Sequence, residues 1–79
     1  MESIDLEYDD VWDAGDMGCG ELVMHLRTRL LAMPGKVLKL IARDPGAPAD
    51  LPAYCRMTGH RLLAERPEAC CYWIRAKSA

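Results

Sequence analysis

A chain of 79 residues, 51% hydrophobic and 28% charged, has the composition of one globular domain with a thin core, which argues against a disordered chain and against two domains. No apolar run approaches the roughly 20 residues of a membrane span, and the acidic start of the chain has no apolar stretch, so neither a spanning helix nor a secretory leader is expected and the location is expected to be cytoplasmic. The formal charge of −2 conceals an asymmetry: residues 1–21 hold eight acids and no Lys or Arg, leaving four acids and ten bases for the rest.

Residues 1–10 read as an acidic tail, expected to be flexible, ahead of a domain over residues 11–79. The acidic front reads either as a solvated tail or as one pole of a dipolar molecule that steers partners electrostatically. Residues 11–14 form a short strand candidate, bounded by Gly15 and Gly18. From Gly20 to Met33 the period is helical: Leu22, Leu26, Leu30 and Met33 recur every three or four residues, Val23 widens the stripe, and Pro34-Gly35 stops it. Arg29, near the C-terminal end, suits the helix dipole.

Residues 37–42 are apolar but for Lys39, a length for a strand and not for a helix. The turn-rich Asp44-Pro45-Gly46-Ala47-Pro48 follows. Asp50 then reads as the N-cap of a second helix, with Pro52 in its first turn, Leu51, Tyr54, Cys55 and Thr58 on its inner face, and Gly59 at its end. Residues 61–65 and 70–76 read as two strands joined by a turn at 66–69. The order β-α-β-α-β-β predicts an α/β fold of the α+β two-layer kind, a mixed four-stranded sheet with both helices on one face.

Cys19 is the foremost candidate for chemistry. It lies between Gly18 and Gly20 at the mouth of the first helix, where unpaired backbone N–H groups and the positive end of the dipole lower a thiol's pKa. The backbone N–H groups of Glu21 and Leu22 would face an anion there. Asp13, Asp16 and Glu21, close in sequence, oppose a thiolate, so the sign of the net shift stays open. A small residue in a tight loop is the bland alternative.

Cys55 reads as a buried, inert thiol, and Cys70 and Cys71 as the opening of the last strand with one side chain on each face. With no C-x-x-C spacing and two cysteines adjacent, reduced thiols fit better than a disulfide framework. His25 reads as the polar side of the first helix and His60 as part of a turn. Neither pairs with a cysteine at zinc-site spacing, so no metal is expected. The bases are scattered over several elements without interleaved aromatics, so direct nucleic-acid binding is not expected.

Asp13-Ala14-Gly15, the cysteine at the helix start, Leu22-Val23-Met24, Met33-Pro34-Gly35-Lys36-Val37-Leu38, Asp44-Pro45, Asp50-Leu51-Pro52-Ala53-Tyr54-Cys55 and Gly59-His60-Arg61-Leu62-Leu63 together resemble the TusA-like (SirA-like) sulfur carriers, from Val11 to Lys77. The resemblance implies the same two-layer sandwich and a persulfide relay of the sulfurtransferase type. A sulfur arrives on Cys19 from a donor such as a cysteine desulfurase or a rhodanese-like protein, leaves to an acceptor protein, and needs no cofactor. Gly18, Gly20, Glu21, Leu22 and Asp13 would line the binding surface. The family's C-P-x-P segment reads Cys19-Gly20-Glu21-Leu22 here, with Gly20 and Leu22 in place of the prolines. A non-catalytic interaction or regulatory module on the same fold is the alternative.

Overall fold

The computed structural model describes residues 6–78. Its elements are β1 (Asp10–Gly15), α1 (Cys19–Leu31), β2 (Val37–Ala42), α2 (Ala47–Thr58), β3 (Arg61–Arg66), a 3₁₀ turn (Pro67–Ala69) and β4 (Cys71–Arg75). The sheet order is β1-β2-β4-β3, with β1 parallel to β2 and the other pairs antiparallel. Parallel neighbours cannot be joined by a tight turn, and α1 makes the crossover between β1 and β2.

The period-two pattern of β2 decides which face is covered. Leu38, Leu40 and Ala42 are buried, while Val37, Lys39 and Ile41 between them are half-buried. The buried set joins Tyr72 and Ile74 of β4 and the inner stripes of both helices in one core. Leu22, Leu26 and Leu30 of α1 are essentially inaccessible and Met33 nearly so, as the spacing predicts. Each such leucine stabilises by roughly 1.5–3 kcal/mol relative to an exposed one. On α2, Ala47, Leu51 and Cys55 are buried, whereas Tyr54 and Thr58, expected inside, are half-buried.

Two sequence expectations need correction. α2 begins three residues before Asp50, because the Asp44 side chain accepts the Gly46 N–H at 2.9 Å and the Asp44 carbonyl accepts that of Ala47 at 3.0 Å. Asp50 thus lies within the first turn of α2, not ahead of it. Cys70 does not open β4. Pro67 begins a 3₁₀ turn that closes with Cys70 in the left-handed region at φ 60°, and only Cys71 enters the strand. His60 stands in the turn before β3 as expected, and its ring is buried there: Nδ1 accepts the Lys77 N–H at 3.0 Å and the ring stacks on Tyr54.

The acidic tail lies partly outside the described residues. Of its described part, Asp9 exchanges two hydrogen bonds of 2.8 Å with Val37, one through its backbone N–H and one through its carboxylate, and Asp10 already belongs to β1. No helix among the described residues is long and apolar enough to cross a membrane.

Candidate functional site

Because β1 and β2 run parallel, their C-terminal ends lie side by side, and so do the loops that leave them. The loop after β1 delivers Cys19 and the loop after β2 delivers Asp44. Crevices at the carboxyl ends of parallel strands are where α/β sheets present their chemistry. Cys19 is the first helical residue of α1, behind the N-cap Gly18 at φ −68°, ψ 154°.

The half-buried Cys19 thiol donates to Asp44 Oδ2 at 2.8 Å. Asp50, from the first turn of α2, brings a second carboxylate beside the same sulfur. Gly46 forms the floor between them. A Cβ on Gly46 would stand 3.0 Å from Asp44 Oδ2, 3.1 Å from Asp50 Oδ2 and 3.5 Å from Cys19 Sγ, so the two carboxylates and the sulfur enclose one small space. Burial, then the hydrogen bonds to Asp44 and Asp50, then their charge, push the Cys19 thiol up to about 12. The sign left open by the sequence is therefore upward. A dipole contribution of about 0.3–1 kcal/mol does not offset burial beside two carboxylates.

The residues expected around Cys19 divide. Gly18 and Gly20 flank it, and no atom beyond their chain neighbours crowds either α-carbon's open side. Glu21 is exposed and faces His25 at 3.9 Å across one helical turn. Leu22 is core: its side chain is inaccessible, and its N–H donates to the Gly18 carbonyl at 2.7 Å, so it is not available to an anion as expected. Asp13 is engaged elsewhere. Its Oδ1 accepts the Gly15 N–H at 2.9 Å and pairs with Arg43 at 3.1 Å, and these contacts hold its carboxyl below the usual range. The sequence reading missed Asp44 and Asp50 as neighbours of the thiol. The available signal was that they are two of only four acids beyond residue 21.

The other thiols are set apart by environment. All four cysteines are free. Cys55 is 3% exposed, and burial pushes it up to about 11. Cys71 donates to the Ala69 carbonyl at 3.3 Å. An open cleft of about 360 Å³, lined by Pro52, Cys55, Arg56, Gly59, His60, Arg61 and Leu62, runs along α2 into the start of β3, and none of Cys19, Asp44 and Asp50 lines it. Among the described residues no group of three His, Cys, Asp or Glu side chains is placed to hold a metal ion.

The sequence profile of the family described as "Sulfurtransferase TusA" matches residues 11–76. The chain belongs to the TusA family. It is 45% identical over 78 residues to the sulfur carrier protein TusA of Pseudomonas entomophila, covering 94% of this chain and 96% of the relative. Identity to the protein of the same name from Pseudomonas putida is 40% over 77 residues, covering 94% and 96%. For that of Pseudomonas paraeruginosa it is 43% over 74 residues, covering 89% and 92%. Within the TusA family this chain carries Gly20 and Leu22 where the resemblance places prolines.

Proposed function

We propose that this TusA-family chain is a sulfur carrier whose working group is Cys19. The observation that carries the reading is the position of that thiol: first residue of α1, at the carboxyl end of the parallel strand pair, between two unobstructed glycines in a chain of this family. In loading, the Cys19 sulfur attacks the outer sulfur of a donor persulfide. The donor's S–S bond breaks, the donor sulfur leaves as thiolate and takes up the proton released by Cys19, and Cys19 becomes Cys19–S–SH. No net oxidation occurs. Unloading repeats the exchange toward an acceptor.

The donor would be a cysteine desulfurase or a rhodanese-like protein and the acceptor a further protein, both in the cytoplasm. Gly18 and Gly20 leave room for a partner's sulfur to approach the backbone, and the exposed Glu21 lies on the same lip. Intact-mass measurement after incubation with a cysteine desulfurase, cysteine and pyridoxal phosphate tests this. A gain of one sulfur, reversed by reductant and absent in a folded Cys19→Ser variant, is the expected result. Equal loading of that variant would move the chemistry to another cysteine, and no loading from this donor or from a rhodanese with thiosulfate would remove the carrier role.

A further inference from the structure

The contacts of Cys19 are those of a thiol held in reserve. Its S–H points at Asp44 Oδ2, 2.8 Å away, and that oxygen is itself fixed by the Gly46 N–H at 2.9 Å. Asp50 Oδ2 borders the same space across the bare α-carbon of Gly46. The groups that face the sulfur from the packed elements are Asp44 from the loop after β2, Asp50 from α2 and Tyr72 from β4, all acids. Arg43, next to Asp44, is turned to Asp13. Ionised Cys19 would be a third negative charge beside two carboxylates.

We propose that Asp44 and Asp50 are positioning residues that clamp unloaded Cys19 as an inward-turned, protonated thiol and must release it when sulfur is loaded. The inference rests on the carrier reading for its purpose, though not for its chemistry. Release follows from bond lengths. An S–S bond is about 2.05 Å long, so a second sulfur placed along the S–H direction would lie about 0.8 Å from Asp44 Oδ2. The loaded side chain therefore turns away from the carboxylates, and repulsion of a persulfide anion acts in the same direction. An unloaded carrier is thus protected from stray oxidation, since the thiolate is the species oxidised, while a loaded one presents its outer sulfur.

The pH dependence of iodoacetamide alkylation at Cys19, followed by mass on the unloaded protein, tests the clamp without any sulfur donor. Wild type should react with a midpoint well above the ordinary 9.0. Asp44→Asn can still accept the S–H and the Gly46 N–H but lacks the charge, so the midpoint should fall by about one unit or more, a tenfold gain in thiolate below it. Asp50→Asn should shift it the same way. Gly46→Ala removes no charge, but its Cβ pushes on both carboxylate oxygens, and a lowered midpoint there supports the clamp even if Asp44→Asn does not fold. A wild-type midpoint near 9.0, or folded Asp44→Asn and Gly46→Ala with the wild-type midpoint, overturns it. Failed loading with shifted midpoints removes the carrier reading and leaves the clamp; successful loading with unshifted midpoints does the reverse.

Discussion

Gly20 occupies in α1 the same helical position that Pro48 occupies in α2, the second residue after a glycine N-cap. Both backbones are helical there, and the N–H of that position has no intrahelical partner. A proline at position 20 therefore removes no helix bond, and beyond its chain neighbours and the backbone of α1 itself no heavy atom stands within 4 Å of where its Cβ would sit. Leu22, the other position at which the C-P-x-P pattern is missing, is different: its N–H is bonded to the Gly18 carbonyl and its side chain is core.

Gly20→Pro should thus stabilise the domain by about 0.5–1 kcal/mol, mainly by restricting the unfolded chain. Leu22→Pro should cost about 3 kcal/mol or more, from the lost bond, the ring clash and the vacated core. Urea unfolding of the two variants checks this. A destabilised Gly20→Pro would show that the backbone of α1 at its mouth differs from that of α2.

The His60 imidazole, buried chiefly at the expense of its hydration and next to Lys77, is held below its ordinary pKa. Its Nδ1 accepts the Lys77 N–H, so folding favours the neutral ring. A depressed histidine pKa means that the unfolded chain binds the proton first. The stability it contributes is complete above about pH 6.5 and is lost as pH falls below that toward the folded value. The urea midpoint of wild type should fall more between pH 7.5 and 5 than that of His60→Ala, which itself costs about 1–3 kcal/mol at neutral pH. Parallel pH curves would assign the acid sensitivity to the carboxylates instead.

The parts of this fold that could be read from sequence are those in which local pattern and tertiary packing agree. The Leu22-Leu26-Leu30 stripe and the alternation of β2 face the core as their spacing requires. Where a side chain acts over distance, the sequence misleads. Asp50 looks like an N-cap because proline follows two residues later, yet Asp44 starts the helix, and both carboxylates meet a sulfur 25 and 31 positions earlier in the chain. Asp13, close to Cys19 along the chain, is engaged with Gly15 and Arg43 instead. Nothing local distinguishes it from acids that the parallel pairing of β1 and β2 brings together in space. Cys70 was misplaced for the reverse reason, since its left-handed φ is imposed by the turn that Pro67 begins, against the residue's own preference.

Alkaline pH offers a thermodynamic reading of the same contacts. Folding raises the Cys19 thiol to about 12, through burial and then Asp44 and Asp50, and the Cys55 thiol to about 11 through burial. In both cases the folded state keeps a proton that the unfolded chain gives up near 9.0, so stability is complete below that pH and declines as pH rises toward the folded values. By pH 10.5 the Cys19 contribution alone is about 2 kcal/mol, on the order of 10 °C in Tm for a domain of this size. Tyr54 and Tyr72, also raised by burial, add to the decline with the same sign. The Cys19→Ser variant keeps those tyrosines and Cys55, and its hydroxyl can still donate to Asp44 without ionising. Its Tm should therefore drop less than that of wild type between pH 7.5 and 10.5, and the difference belongs to Cys19. If the two curves descend together, the Cys19 thiol ionises alike in the folded and unfolded chains, and the carboxylates beside it exert no hold on its proton.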